Sequence, residues 1–188
     1  MLPTPSPARH GQHSHPQTRL VSWLANYETE TPGVEAGDNG SIRLDLDNEP
    51  QPNTYLMIRP EWGGRAQISD DDFIEGAPEL VAEIAPSSTS YDPGRILHVY
   101  RRSGVCEYLV WRVLDHKIDW FVNRDGRFET VAAAEGGILR STIFPGLWLA
   151  ADTLVLGQKL AVKEVLQAGL SSPEHAEFVA RLERVRKV

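Results

Sequence analysis

Apolar positions change their period along the chain, and each change predicts an element. Over residues 18–27, Leu20, Val21, Trp23, Leu24 and Tyr27 fall mostly on one helical face, and Thr31-Pro32-Gly33 stops the helix. Residues 41–47 alternate Ile42, Leu44 and Leu46 with polar side chains, the period of a half-buried strand. Asn48-Glu49-Pro50-Gln51-Pro52 makes a turn, because each proline biases its predecessor away from helix and removes a ladder donor. Tyr55-Leu56-Met57-Ile58 then predicts a second strand. The Gly- and Asp-rich stretch 59–76 reads as a hairpin excursion, with Asp70, Asp71 and Asp72 in a solvated turn rather than a metal site. Residues 79–85 are a mostly apolar run between Pro78 and Pro86, as expected of a strand buried on both faces.

A helix is predicted over 92–102, with Asp92 as N-cap, Pro93 at the first position and Ile96, Val99 and Tyr100 on one face. A three-stranded meander follows at 107–113, 118–123 and 128–131, turning at Asp115-His116 and at Arg124-Asp125-Gly126. Residues 139–149 hold a further short strand. The tail 159–187 is helical, interrupted at Gly169 and again at Ser171-Ser172-Pro173-Glu174. This order predicts an α/β (α+β) domain, a central mixed sheet flanked by helices. Residues 1–16, with four prolines and three histidines, are expected to be a disordered arm, and His10, His13 and His15 part of it rather than a metal tract. The domain proper is expected over 17–155, with 156–188 a C-terminal helical extension packed on or beside it.

Composition narrows the function classes. The net charge of -7 argues against coating nucleic acid non-specifically, yet leaves room for a hydrolase with a local basic lip. No apolar run reaches the roughly 18 residues that cross a bilayer, and the first residues lack the apolar core of a secretory signal, so the expected location is cytoplasmic. The single cysteine, Cys106, is expected to be a buried structural thiol. The tryptophans are expected in the core, with Trp62, in the Gly-rich hairpin, the one candidate for stacking on a base.

Glu83 is the strongest chemical candidate. It sits mid-strand among Val81, Ala82, Ile84 and Ala85, where an ionised carboxylate is costly unless it is paired or holds a metal. Two readings stand at this point: a metal ligand, or a structural ion pair with Arg101, Arg102 or Arg112. Glu79 shares its strand face but lies roughly 13 Å away, too far to share one ion. His98 is expected to face solvent.

Pro78-Glu79-Leu80-Val81-Ala82-Glu83-Ile84, then Ser87-Ser88, Tyr91-Asp92 and Tyr100-Arg101-Arg102-Ser103-Gly104-Val105-Cys106-Glu107-Tyr108-Leu109-Val110 resemble, as a set, the central signature of the Uma-type putative restriction endonuclease family. The segments 45–53 and 144–149 resemble one branch of it, so the likeness spans about residues 23 to 149. The resemblance implies a restriction-endonuclease-like PD-(D/E)XK fold and a Mg²⁺- or Mn²⁺-dependent DNA endonuclease, using one or two ions and commonly dimeric. It carries the family's glutamate onto Glu83 and its first metal-binding aspartate onto Asn53, a neutral amide. The lysine falls on Ile96, beside Arg95, which stands in as the phosphate-holding cation. By this resemblance the catalytic set is Glu83, Asn53 and Arg95, with Glu83 and Asn53 as metal ligands, and hydrolysis impaired. The alternative is a catalytically inactive nuclease-fold module that binds or homodimerises.

Overall fold

The computed structural model describes residues 9–44, 48–87 and 93–186, with the side chains of 93–96 outside the described part. Six strands form the central sheet: β1 (Val34–Asp38), β3 (Thr54–Ile58), β6 (Leu80–Ala85), β7 (Glu107–Arg112), β8 (Lys117–Arg124) and β9 (Arg127–Thr130), hydrogen-bonded in that order. All neighbours run antiparallel except β6 and β7, which are parallel. A parallel pair needs a crossover, and helix α2 (Pro93–Ser103) supplies it. A three-stranded sheet of β2 (Ile42–Arg43), β5 (Ile74–Glu75) and β4 (Gln67–Ile68), and a hairpin of β10 (Ile138–Arg140) with β11 (Trp148–Ala150), stand beside it.

Strand alternation divides the interior in two. Leu80, Ala82 and Ile84 of β6 face a large core with Leu109, Trp111 and Trp120, and with Leu20, Trp23, Leu24 and Tyr27 of α1 (His15–Thr29). Val81 and Ala85 face a second core with Tyr55, Met57, Tyr108 and Val110, covered by Tyr100 of α2 and by Ile42 and Ile74 of the small sheet. β6 is therefore buried on both faces, as its unbroken apolar run predicts.

Several expectations need correction. The helix expected over 18–27 spans His15–Thr29 and is preceded by a π-helical turn at His10–Ser14, so the part of the N-terminal arm that is described, residues 9–16, is mostly helical. Pro16 follows directly on that turn, at the second position of α1, and is buried. Strand β1 is absent from the sequence reading because Glu35, Gly37 and Asp38 lack β-propensity; Gly37 is required there because the Tyr55 ring lies where a Cβ would be. The strand expected over 41–47 is paired only at Ile42–Arg43, and 45–47 lie outside the described residues. The proposed N-cap Asp92 also lies outside them.

At the C-terminus, a short helix α3 (Ala151–Val155) precedes α4 (Lys159–Leu170) and α5 (Pro173–Arg186). Gly169 does not break α4. It lies in the last turn against the Gly146 carbonyl and the Trp148 ring, an approach that leaves no space for a Cβ. Val162, Leu166, Phe178 and Leu182 belong to the same core as α1 and β7, so α4 and α5 pack on the domain through its main core. No helix among the described residues is long and apolar enough to cross a membrane.

Candidate active site

Strand β6 carries Glu83 into the second core, and two tyrosines meet it there. The Tyr100 hydroxyl, from α2, donates to Glu83 Oε1 at 2.7 Å, and the Tyr108 hydroxyl, from β7, donates to Oε2 at 3.1 Å. Their rings stack with centroids 5.3 Å apart. Burial pushes the Glu83 carboxyl above its ordinary range, and the two hydroxyls oppose that only in part. The structural ion pair with Arg112 is not formed: Arg112 reaches Asp115 and Asp119, both at 2.6 Å. Arg101 donates to the Gly126 carbonyl and lies beside His98, which is exposed as expected.

Asn53 lies in the bend just before β3. Continuing the register one step past Thr54↔Ala82 sets it across from Glu83 on the neighbouring strand. The two positions are thus adjacent, but their side chains have different partners. Asn53 Oδ1 accepts the Ile84 N–H at 2.8 Å, so the amide extends the contact between β3 and β6 past the end of the ladder. Its nitrogen lies 3.0 Å from His13 Nε2 and donates to Gln17 Oε1 at 3.4 Å, both at the start of the first helical segment. Gln17 in turn donates to Asp38 on β1. Asn53 is held from the α1 side and Glu83 from the α2 side.

A hard divalent cation binds six or more oxygens, several of them charged or free to turn toward it. Among the described residues the pair supplies one carboxylate, with each oxygen already bonded to a hydroxyl, and one amide oxygen already taken by a backbone N–H. No cluster of three or more His, Cys, Asp or Glu suited to a metal occurs among them. These residues do not fit a tightly held Mg²⁺. Arg95 and Ile96 lie in the first turn of α2, and their side chains fall outside the described residues, as do Ser88, Tyr91 and Asp92.

Two other buried glutamates are structural. Glu79 Oε2 accepts the Ile58 N–H at 2.8 Å. Glu107, fully buried, accepts from the Ser141 hydroxyl at 2.7 Å, from the N–H and hydroxyl of Thr142 and from the Ile143 N–H, tying β7 to the corner before β11. Trp62 is 8% exposed, packed on Gly33 with the Arg186 guanidinium 4.8 Å from its ring, so it offers no platform to a base. Cys106 is half-buried, with the Arg65 guanidinium donating to its sulfur, and burial raises its pKa. Asp71, in the acidic turn, is held at about 2 by hydrogen bonds from Arg43 and then Ser69.

The family model of Uma2, described as putative restriction endonuclease, matches residues 3–152. The chain belongs to this family. A crystal structure titled as a putative nuclease belonging to DUF820, from Anabaena variabilis, is similar in fold with a TM-score of 0.52 at 16% identity, covering 73% of this chain and 75% of that one. The mixed sheet flanked by helices is accordingly of the restriction-endonuclease-like type. No curated protein matches this Uma2 family member at a significant level. The sequence signature led to Glu83 on β6 and to Asn53 in the bend before the neighbouring β3; it did not disclose Tyr100 and Tyr108 as partners of Glu83, although both are polar-tipped rings within the quoted motif.

Proposed function

We propose that this chain is a DNA-directed member of the Uma2 family whose metal-dependent endonuclease chemistry is impaired. The observation that carries this reading is the commitment of the Asn53 oxygen to the Ile84 N–H beside a Glu83 already engaged by two hydroxyls. An aspartate at position 53 would bring a second charge and a second oxygen, and a lysine at 96 a titratable cation, the two groups that the family pattern has and this chain lacks. DNA contact is supported by a basic lip close to Glu83's face of the sheet: His98 and Arg101 of α2 and Arg127 of β9, with Leu97 and Phe128, line a shallow depression of about 340 Å³. Pairing of two copies, so that two sites face two strands, belongs to the same proposal.

Plasmid nicking in Mg²⁺ or Mn²⁺ tests it. The wild-type chain is expected to leave supercoiled DNA intact under conditions in which Asn53→Asp combined with Ile96→Lys nicks it, and adding Glu83→Ala to that pair should abolish the gain. Robust wild-type cleavage that Glu83→Ala removes would overturn the impairment.

A further inference from the structure

The groove between α1 and α4 has no part in the nuclease reading and lies on the sheet face away from Glu83. His15, Arg19, Ser22 and Trp23 on α1, and Lys159, Val162, Lys163 and Leu166 on α4, recur at helical spacing, so one stripe of each helix borders a cavity of about 180 Å³. Its floor is apolar: Trp23, Leu154, Val162 and Leu166 are all buried. Its rim is cationic, with Arg19, Lys159 and Lys163 beside a neutral His15, and no carboxylate lines it among the described residues. In a chain of net charge -7 that concentration of one sign is a local feature.

Arg19 supplies the more telling observation. One of its terminal nitrogens donates to the Leu154 carbonyl at 3.2 Å, while its Nε is buried with no hydrogen-bond partner. Nε itself is closed to solvent, so a ligand in the groove would meet the terminal nitrogens. Neither Arg19, Lys159 nor Lys163 forms an ion pair among the described residues. The same positive field holds the His15 imidazole below its ordinary range, through Arg19 first, then burial, His10 and Lys159.

We propose that this groove binds a small organic anion, its carboxylate or phosphate held by Arg19, Lys159 and Lys163 and its apolar body resting on Trp23, Val162 and Leu166. The cavity suits a body of about one ring, since a cavity of roughly 150 Å³ accepts benzene. The guanidinium adds a fixed, always-charged cation, and the lysines add mobile point charges.

The full chain is titrated with phenyl phosphate, benzoate, inorganic phosphate and benzamidine, followed by the indole N–H resonance of Trp23. Saturable binding of phenyl phosphate or benzoate, with Kd on the order of 1 mM or tighter, is expected, and the tighter of the two names the head group. Lys159→Gln with Lys163→Gln, both exposed positions that leave the core untouched, should weaken it roughly tenfold. Equal binding of benzamidine, inorganic phosphate binding as tightly as phenyl phosphate, or an unchanged affinity in the double variant would each overturn the proposal. Neither a metal nor cleavage enters the readout, so the outcome is independent of the nuclease reading.

Discussion

Glu79, Glu83 and Glu107 are three carboxylates on or beside two adjacent strands, and burial raises the pKa of each. What separates them is the partner. Glu79 and Glu107 accept backbone N–H groups and so hold loops, whereas Glu83 accepts only side-chain hydroxyls among the described residues. Truncating Glu107→Ala removes an acceptor shared by four donors, the buried Ser141 hydroxyl among them, and should cost about 3 kcal/mol in urea unfolding. Glu83 gives a pH signature. Its folded pKa lies above 4.5, so its contribution to stability is present in acid and lost as pH rises through the folded value. Glu83→Gln removes that loss, and its stability relative to wild type should increase between pH 4.5 and about pH 7, read by thermal melts across that range. The oddity of Glu83 was legible from its apolar neighbours alone. Its tyrosine partners were not, because they arrive from a helix and a strand 17 and 25 residues downstream, and only the tertiary fold sets them against it.

Elements were legible wherever burial imposed a clean period: β6, α2 and the meander all lie close to their predicted bounds. Strand β1 was not, since its place in the sheet comes from pairing with β3 rather than from its own composition. The bend at Asn53 was also hidden. Simple alternation would put this side chain on the face of Glu83, and instead it turns to fasten Ile84 and the start of the first helical segment. Asn53→Ala should accordingly cost about 1 kcal/mol and speed hydrogen exchange at the Ile84 amide. At the other end of the chain, Phe178 of α5 is buried edge-on to Phe144, with centroids 6.3 Å apart. Phe178→Ala should lose about 3 to 4 kcal/mol in one cooperative transition, as expected if α5 belongs to the main core.

At the scale of the molecule, an acidic chain of net charge -7 can hold DNA only where cations gather, and the α2–β9 side is such a place. Arg101→Glu with Arg127→Glu should abolish DNA retention at low salt while leaving the melting temperature within a few degrees, since Arg127 is exposed and, among the described residues, the Arg101 guanidinium meets a turn carbonyl and His98. The sheet and its flanking helices are present, and at their centre the Asn53 oxygen and both Glu83 oxygens are committed to partners within the chain. The most direct test is Mn²⁺ added to the ¹⁵N-labelled protein, with paramagnetic broadening followed at the amides of residues 53, 83 and 84. The predicted result is broadening no greater than at exposed carboxylates, with the Ile84 amide still protected by Asn53. Selective loss of those three resonances at micromolar Mn²⁺ would show an ion gripped between Asn53 and Glu83, and would contradict it.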